Sequence, residues 1–293
     1  MSPTLSRRLA LPDHPAGFDT CEEAPDVQAV FRLGMPHLNG TGVSLTWLLK
    51  ECAHRHWWSL SGWLGQRPGD LRDLTGARIM ASVVAATVQG NGEGFSEDDL
   101  ARIDTEIAPR PASGWRGVFS LKSASGARMV VELITSFARR EGPSNTALAA
   151  AALPSELRAA RSGSGASRAN VLRRNGRSLR VAPWSTEDPC HASVEIFGPT
   201  HFNGVGLTYF ANFSDMFERA EHASIPPLKP RLPVVAREIH YFGNIDEGDV
   251  LDISSRATAK GIAPKPLIEV LSAARRRSDN CVIAICLSER RAL

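Results

Sequence analysis

The sequence predicts an α+β fold made of two fused, similar units, and three observations support this prediction. A glycine-rich phrase occurs twice, as GMPHLNGTGVS at residues 34–44 and as GPTHFNGVGLT at residues 198–208. An apolar stretch with helical spacing follows each copy of the phrase, and several strand-like stretches follow each predicted helix. A phrase that returns in the same register with the same elements after it indicates two copies of one structural unit.

Both predicted helices have a continuous apolar face, which indicates that they are substantially buried. The first helix follows residue 43 and the second begins near residue 207. The residues that share the apolar face are Leu45, Leu48, Leu49 and Cys52 in the first helix, and Leu207, Phe210, Ala211 and Phe217 in the second.

Strand-like segments rich in β-branched or aromatic residues make up most of the rest of each unit. They span residues 27–33, 78–88, 115–122 and 127–137 in the first unit, and 192–197, 234–242, 249–258, 266–274 and 281–288 in the second. Of these, residues 266–274 could also form a helix. Strand, glycine-rich turn, helix and antiparallel strands are the element order of a hot-dog domain, in which a sheet wraps one long helix. Two copies predict a double hot-dog.

Residues 139–180 differ from the rest because small residues, Ser, Gly and Arg dominate and aromatic residues are absent. This composition is typical of a linker or a surface excursion, in which residues 155–160 could form a short helix. We therefore expect an N-terminal hot-dog domain at residues 1–140, a flexible or partly helical linker at 141–180, and a C-terminal hot-dog domain at 181–293.

Composition narrows the class of protein and its partners. The net charge of +3 over 293 residues is small for a nucleic-acid-binding protein, but it suits an anionic small ligand or an acidic partner. The five cysteines show no metal-site spacing, so we expect free thiols and no bound metal. Neither a signal-peptide pattern nor an apolar run of about 20 residues occurs. We expect a cytoplasmic monomer or homodimer with no membrane or nucleic-acid partner.

The repeated phrase could bind a reactive carbonyl group. Glycines allow close approach of another group to the backbone, and a helix that begins directly after the phrase would supply free N–H groups for an oxyanion. Asn adds a donor, and His can transfer protons near neutral pH. We therefore predict catalytic roles for His37, Asn39, His201 and Asn203. The predicted substrate-binding residues are Gly40, Gly42, Val43 and Ser44 in the first copy, and Gly204, Gly206 and Leu207 in the second.

A structural interpretation of the phrase stays open at this point. The glycines could serve only close packing, Asn could cap the helix, and His could be a satisfied structural residue. The copies also differ, because Leu45 corresponds to Tyr209 and Trp47 to Ala211, which favours one working site and one supporting copy.

Outside the phrase, residues 54–56 (His-Arg-His) are predicted to be a solvated helix face. Residues 275–277 (Arg-Arg-Arg) are predicted to be a solvated end of an element or, alternatively, a contact for CoA phosphates or an acidic carrier protein.

Several blocks of the sequence resemble the LnmK-type family of polyketide biosynthesis proteins. Residues 34–38, 42–44, 47–51 and 56–57 are similar to the opening motif of that family, and residues 202–207, 209–211 and 238–244 are similar to its C-terminal half. The second block is also similar to the H-x-N-N-x-x-Y-L-x-x-F segment of hot-dog thioesterases. The resemblance covers most of the chain outside residues 139–180.

This resemblance implies a double hot-dog fold and a bifunctional acyltransferase/decarboxylase. Such enzymes take methylmalonyl from CoA, decarboxylate it and deliver propionyl to an acyl carrier protein through an acylated tyrosine. The resemblance thus implies acyl-CoA and an acyl carrier protein as partners, a CoA or phosphopantetheine thioester as substrate, and no bound cofactor. The family's tyrosine is expected in the first half, but the chain's two tyrosines are Tyr209 and Tyr241. Tyr209, next to the second phrase, is therefore a further catalytic candidate.

Two other functions on the same scaffold remain alternatives. A hot-dog thioesterase or dehydratase would use the same carbonyl-binding turn, and a dehydratase would also need a carboxylate such as Glu51, Asp215 or Glu218. A non-catalytic protein that docks a carrier protein would use the arginines of the linker as its partner surface. Fold alone does not separate these reaction types.

Overall fold

The computed structural model describes residues 28–110, 114–153, 165–181, 184, 188–225, 232–260 and 267–291. Within these ranges, helices of 20, 16 and 13 residues pack against one large antiparallel sheet. The strands of the first unit are β1 (Gln28–Arg32), β2 (Leu38–Asn39), β3 (Gly42–Val43), β4 (Met80–Gly90), β5 (Leu100–Arg110), β6 (Gly114–Ser123), β7 (Arg128–Arg140) and β8 (Leu148–Ala150). Those of the second are β9 (Cys190–Glu195), β10 (Val234–Tyr241), β11 (Val250–Lys260), β12 (Leu267–Arg276) and β13 (Val282–Arg291). The helices are α1 (Leu45–Leu64), α2 (Gly165–Arg180), α3 (Gly198–His201) and α4 (Asn212–Ser224).

The sheet shows the duplication directly. Its strand order is β1-β5-β6-β7-β4-β10-β13-β12-β11-β9, with β8 paired to β7. Read outward from the centre, the two halves have equivalent strands in the same order. They meet where β4 and β10 pair antiparallel, from Ala236 opposite Gln89 to His240 opposite Ala85. The predicted α+β fold of two fused units is confirmed.

Each half of the sheet wraps one helix. Leu48, Leu49 and Cys52 of α1 are fully buried in a core that includes Ile103 and Phe119. In the second unit, the core around α4 contains the buried residues Phe213, Phe217, Ile239, Leu251 and Ile253. Full burial of a Leu, Ile or Phe side chain contributes about 1.5–3 kcal/mol. The helices are therefore held mainly by their apolar faces, as the spacing of apolar residues indicated.

The two helices begin differently relative to the repeated phrase. Ser44 caps α1 by accepting a hydrogen bond from the Trp47 N–H at 3.3 Å, so α1 begins directly after the first phrase. In the second unit the Asn212 N–H donates to the Tyr209 carbonyl at 2.9 Å, and residues 209–211 form a turn before α4. The prediction that both phrases stand directly before a helix is correct for the first copy and wrong for the second.

Strand β5 and the short strands β2, β3 and β8 were not predicted from the sequence, whereas the uncertain segment at residues 266–274 is a strand. Strand β5 was not among the predicted strands, although its residues alternate: Ala101, Ile103 and Thr105 are buried while Glu106 is exposed. This alternation of apolar and charged residues is the signal that could have revealed it. The segment that could have been a helix or a strand is β12, because its backbone pairs with both β11 and β13.

The described parts of the predicted linker lie on the sheet. Strand β8 pairs antiparallel with the end of β7, and α2 buries Ala169 and Leu172 against Ala85 and Ile134. The possible helix at residues 155–160 lies outside the described residues.

The four described cysteines are free thiols. Within the described part of the chain, no helix is long and apolar enough to cross a membrane, and no three metal-ligating side chains cluster.

Candidate functional site

Two cavities lie where the phrase of one unit meets the long helix of the other. The first cavity, of about 750 Å³, is lined by Asn39 and Ser44 of the first phrase and by Asp215 and Glu218 of α4. The second, of about 880 Å³, is lined among others by Asn203, Gly204 and Tyr209 together with Ala53 and Trp57 of α1. Both volumes are in the range of small-molecule binding sites.

The first phrase folds into a tight hairpin between β2 and β3. The Asn39 side-chain oxygen accepts the Thr41 N–H and the Thr41 hydroxyl, each at 2.9 Å. Gly42 has a φ of +98°, and a Cβ atom there would overlap the Gly92 carbonyl oxygen, so only glycine fits. Gly42 and Val43 pair with Asn39 and Leu38 in this hairpin. Asn39 therefore shapes the loop with its oxygen and does not cap α1.

The second phrase uses its asparagine in the same way. The Asn203 side-chain oxygen accepts the N–H groups of Val205 and Leu207, both at 3.1 Å, and its carbonyl accepts the Gly206 N–H at 2.8 Å. The predicted donors Gly206 and Leu207 are thus already used within the loop. Within the described residues, the Asn203 side-chain NH₂ and the Gly204 N–H have no protein acceptor, and both residues line the second cavity.

The histidine of each phrase forms a hydrogen bond with a backbone N–H three or four residues earlier in the chain. His37 Nδ1 accepts the Gly34 N–H at 2.7 Å, and His201 Nδ1 accepts the Phe197 N–H at 2.9 Å. A backbone N–H only donates, so His37 Nδ1 is the acceptor in its contact with Gly34. His201 Nδ1 also lies 3.1 Å from the Phe197 carbonyl oxygen and 3.2 Å from the Thr200 hydroxyl. His37 packs edge-on against Trp47, with ring centroids 4.7 Å apart.

The structure separates the histidine of each phrase from its asparagine. His201 lines the first cavity while Asn203 lines the second. Among the described residues that line either cavity, His37 is absent. The histidine and asparagine of the same phrase therefore do not line one cavity, whereas Asn39 and His201, from different phrases, both line the first. The structural interpretation of the histidines agrees with the hydrogen bonds that they accept.

A buried ionic cluster occupies the wall of the first cavity. Glu221 is fully buried and accepts from Arg237 at 2.7 Å and from Arg290 Nε at 3.0 Å. Although burial opposes ionisation, Arg237 and Arg290 lower the pKa of Glu218 to about 2. Asp215 is bound to Arg219 at 3.0 Å. All three carboxylates are ion-paired, and the low pKa of Glu218 makes that group a poor proton donor at neutral pH.

The second cavity has a different character because its walls are mostly apolar. Val83, Leu133, Phe137, Phe210 and Phe213 line it. Among the described lining residues there is no Asp, Glu or Cys, and the ionisable side chains are His54, His56, Arg78, Tyr209 and Tyr241. Glu51, the third carboxylate considered for a dehydratase, is paired with Arg55 at 2.6 Å. A mostly apolar cavity with polar groups at part of its wall is typical of a small-molecule site.

His56 is the site residue that the sequence interpretation missed. It is buried, not solvated as predicted, and its Nε2 lies 3.0 Å from the Thr135 hydroxyl. Burial lowers the pKa of His56 to about 4, so the ring is neutral at pH 7. Its Nδ1 is buried without a partner within the described residues. The sequence signal that could have indicated its burial is its position four residues after Cys52, on the apolar face of α1.

Both tyrosines line the second cavity with protonated hydroxyls. Tyr209 donates to the Lys50 carbonyl at 3.3 Å and joins the second phrase to α1. Burial, together with Cys52 and Glu51, raises the pKa of Tyr209 to about 12. Tyr241 donates to the Phe210 carbonyl at 3.2 Å, and burial raises the pKa of Tyr241 well above 10. Neither phenol is poised as a nucleophile at neutral pH.

The arginine run at residues 275–277 is not a free basic patch. Arg275 is buried and donates to the Ser254 hydroxyl at 3.2 Å. Arg276 binds Asp279 and Arg277 binds Asp252, each at 2.6 Å. The prediction of a solvated end is wrong for Arg275, and the two other side chains are neutralised by acidic neighbours.

Comparison with solved structures shows the same architecture in other proteins. A protein from Lactobacillus plantarum assigned as an oleoyl thioesterase has a TM-score of 0.61 with 12% identity, over 91% of this chain and 96% of that chain. The 12:0-ACP thioesterase from Umbellularia californica has a TM-score of 0.59 with 12% identity, over 90% and 93%. The fold is a double hot-dog.

A third structure with this fold is an acyl-ACP thioesterase from Bacteroides thetaiotaomicron, with a TM-score of 0.56 and 9% identity over 92% of this chain and 99% of that chain. These identities show the fold alone. No protein-family model and no curated protein sequence matches the chain. The fold leaves the reaction open, so function depends on the residues that line the second cavity.

Proposed function

We propose that this protein is an enzyme that processes acyl thioesters in the second cavity, with hydrolysis as its reaction. The observation that carries the proposal is an apolar cavity of about 880 Å³ whose lining includes the free amide donors of Asn203 and Gly204. Apolar walls favour an acyl chain by the hydrophobic effect, and the donors favour its carbonyl end. Three proteins of the same fold bear the names of oleoyl or acyl-ACP thioesterases, which agrees with such a substrate.

The donors suit the charge that develops during attack on a thioester. When water adds to the carbonyl carbon, the carbonyl oxygen becomes an oxyanion that the Asn203 NH₂ and the Gly204 N–H would stabilise. The hydrogen bonds from Val205 and Leu207 hold the Asn203 oxygen inside the loop, so the NH₂ group is the end of the amide left for substrate. This orientation exists before substrate arrives, which lowers the cost of reorganisation.

The base for hydrolysis would be the imidazole of His54 on α1, because it lines the cavity and no carboxylate or thiol among the described residues does. Burial lowers the pKa of His56 to about 4, which is too low for an efficient base at neutral pH. Water gives its proton to the imidazole as its oxygen bonds to the carbonyl carbon. The tetrahedral intermediate then breaks its C–S bond, and the imidazolium returns the proton to the departing thiolate. The products are a carboxylic acid and a free thiol.

A second candidate reaction is the acyltransferase/decarboxylase chemistry of the LnmK-type family of polyketide biosynthesis. The lack of Asp and Glu among the described lining residues favours it, because a malonyl-type carboxylate would meet no like charge there. Loss of CO₂ leaves an enolate, which the same two donors would stabilise. The protonated phenols of Tyr209 and Tyr241 do not favour the acyl-tyrosine step of that family.

One thioester panel tests both reactions. Lauroyl, oleoyl, malonyl and methylmalonyl groups are presented on CoA and on an acyl carrier protein, and the products are identified by mass spectrometry. We expect lauroyl or oleoyl to be released as free acid. Asn203→Ala should lower kcat about 10²–10³-fold, while the matched variant Asn39→Ala, at the equivalent position in the first cavity, should change it by less than about threefold.

The outcomes separate the candidates. Release of CO₂ from malonyl or methylmalonyl thioesters would establish the decarboxylase. Loss of activity in Asn39→Ala with retention in Asn203→Ala would move the site to the first cavity. Absence of turnover with every thioester would contradict the proposed enzyme.

A further inference from the structure

Helix α2 carries a group of positive charges that no carboxylate in the described part of the chain pairs with. Its sequence, GASRANVLRRNGRSLR, contains five arginines and no acidic residue. The side chains of Arg173, Arg174, Arg177 and Arg180 are exposed. None of these four forms an ion pair with a described residue. By contrast, the arginines on the strands and on α4 are mostly bound to carboxylates, as Arg116 is to Glu132 and Arg276 is to Asp279.

The position of α2 on the sheet is well defined. Ala169 and Leu172 pack against Ala85 and Ile134, and Gly176 lies directly over His240. A Cβ atom at residue 176 would stand 2.6 Å from His240 Nδ1, so the helix approaches the sheet closely only because that residue is glycine. The exposed arginines therefore form a surface that is held in place by buried contacts.

The C-terminal end of α2 reaches the wall of the second cavity. The Arg180 guanidinium lies over the Phe242 ring, 5.2 Å from its centroid, and Phe242 lines that cavity. The basic surface is thus continuous with the cavity proposed to hold the acyl group. A partner bound to α2 would lie beside the place where its thioester must enter.

We propose that the arginines of α2 are the docking surface for an acidic acyl carrier protein that delivers the acyl thioester to the second cavity. This inference depends on the proposed function for its substrate, but the docking itself can be measured without turnover. A carrier protein with an acidic recognition surface is the complementary partner, because opposite charges steer association and fix the orientation of the complex. Such steering weakens as salt screens the charges.

The first experiment measures binding. The full chain is titrated with a purified type II acyl carrier protein in its holo form, at low and at physiological ionic strength. We expect Arg173→Glu/Arg177→Glu to weaken binding at least tenfold. The control Arg32→Glu/Arg128→Glu has the same change in net charge. Arg32 is on β1 and Arg128 is at the start of β7, away from Ile134 where α2 packs, so this variant should leave binding within about twofold. Equal binding by the α2 variant and the wild type would overturn the proposal.

A second experiment identifies which group on the substrate is recognised. The same variants are assayed with one acyl group on the carrier protein, on CoA and on N-acetylcysteamine, which has no charge. We expect Arg173→Glu/Arg177→Glu to raise KM only when the acyl group is attached to the acyl carrier protein, with kcat unchanged. An equal rise with acyl-CoA would assign the arginines to nucleotide phosphates and overturn the carrier surface.

The two proposals can fail separately. A protein that turns over no thioester, yet binds the carrier through α2, would contradict the enzyme and retain the docking surface. A protein that hydrolyses acyl-N-acetylcysteamine but binds only anionic vesicles or nucleic acid through α2 would retain the enzyme and refute the docking surface.

Discussion

The ring of His56 lies against the backbone of Gly117 on strand β6. A Cβ atom at residue 117 would stand 2.5 Å from His56 Nδ1 and 2.8 Å from the Phe119 ring. The absence of a side chain at residue 117 is therefore what allows a histidine to be buried in the wall of the second cavity. This contact joins a helix and a strand that are far apart in the sequence.

Gly117→Ala should destabilise the fold by about 1–3 kcal/mol, because the added methyl group must displace the His56 or Phe119 ring in a close-packed core. The free energy of unfolding, measured by urea denaturation, checks this. Gly69→Ala is the matched control, since a Cβ atom there meets nothing within 4 Å, and it should stay within about 0.5 kcal/mol of wild type. Equal stability of the two variants would contradict the close contact.

His56 should make the protein less stable in mild acid. The pKa of its imidazole falls from 6.5 to about 4 on burial, so between these pH values the unfolded chain binds the proton and the folded chain does not. The contribution of His56 to the free energy of unfolding is fully present above pH 6.5. It decreases by about 3 kcal/mol in total as the pH falls towards 4. Urea midpoints of wild type and His56→Gln at pH 7.5 and 5 measure it. An identical pH dependence in both proteins would argue against a neutral buried ring.

Glu221→Gln should destabilise the second unit by about 3–5 kcal/mol, because it removes the fully buried one of the two carboxylates that Arg237 and Arg290 share and leaves a buried positive charge uncompensated. Asp215→Asn, which breaks the exposed pair with Arg219, should cost at most about 1 kcal/mol. Thermal unfolding of both variants gives the comparison. A cost of less than 1 kcal/mol for Glu221→Gln would show that the cluster is not needed for the fold.

Tyr209→Phe tests whether an acyl-tyrosine takes part. Because the pKa of Tyr209 is raised to about 12, its hydroxyl should remain protonated and should not attack the thioester. We expect the variant to retain more than about a tenth of the wild-type kcat, and intact-protein mass spectrometry of the wild type with substrate to show no acyl adduct. An adduct that disappears in Tyr209→Phe would establish the family's covalent mechanism instead.

The predictions from sequence succeeded where a local pattern corresponds to one structure. The repeated phrase, the apolar spacing at Leu48, Leu49 and Cys52, and the β-branched segments predicted two helices and most strands. Strand β5 was not predicted, although its alternation was present. The start of α4 was misplaced because the turn at residues 209–211 is apolar and resembles a helix in sequence.

The site was less predictable because its residues come from different elements and from both units, and they come into contact only in the folded sheet. The N–H groups of Gly206 and Leu207 looked free in sequence, but the Asn203 side chain and carbonyl accept them. His56 looked solvated beside charged and polar neighbours, and its burial depends on Gly117, which lies on another element. Such contacts have no signature in the local order of residues.

The sequence by itself determined that this chain contains two similar α+β units, because periodicity and repetition are local properties of the chain. Only the tertiary structure decided that the phrase of one unit meets the helix of the other, and that the two resulting cavities are unlike. A buried ionic cluster lies beside Asn39, and apolar walls lie beside Asn203. The physical reason is that the character of a cavity depends on all the side chains that converge on it, and those converge only after β4 and β10 have joined the halves into one sheet.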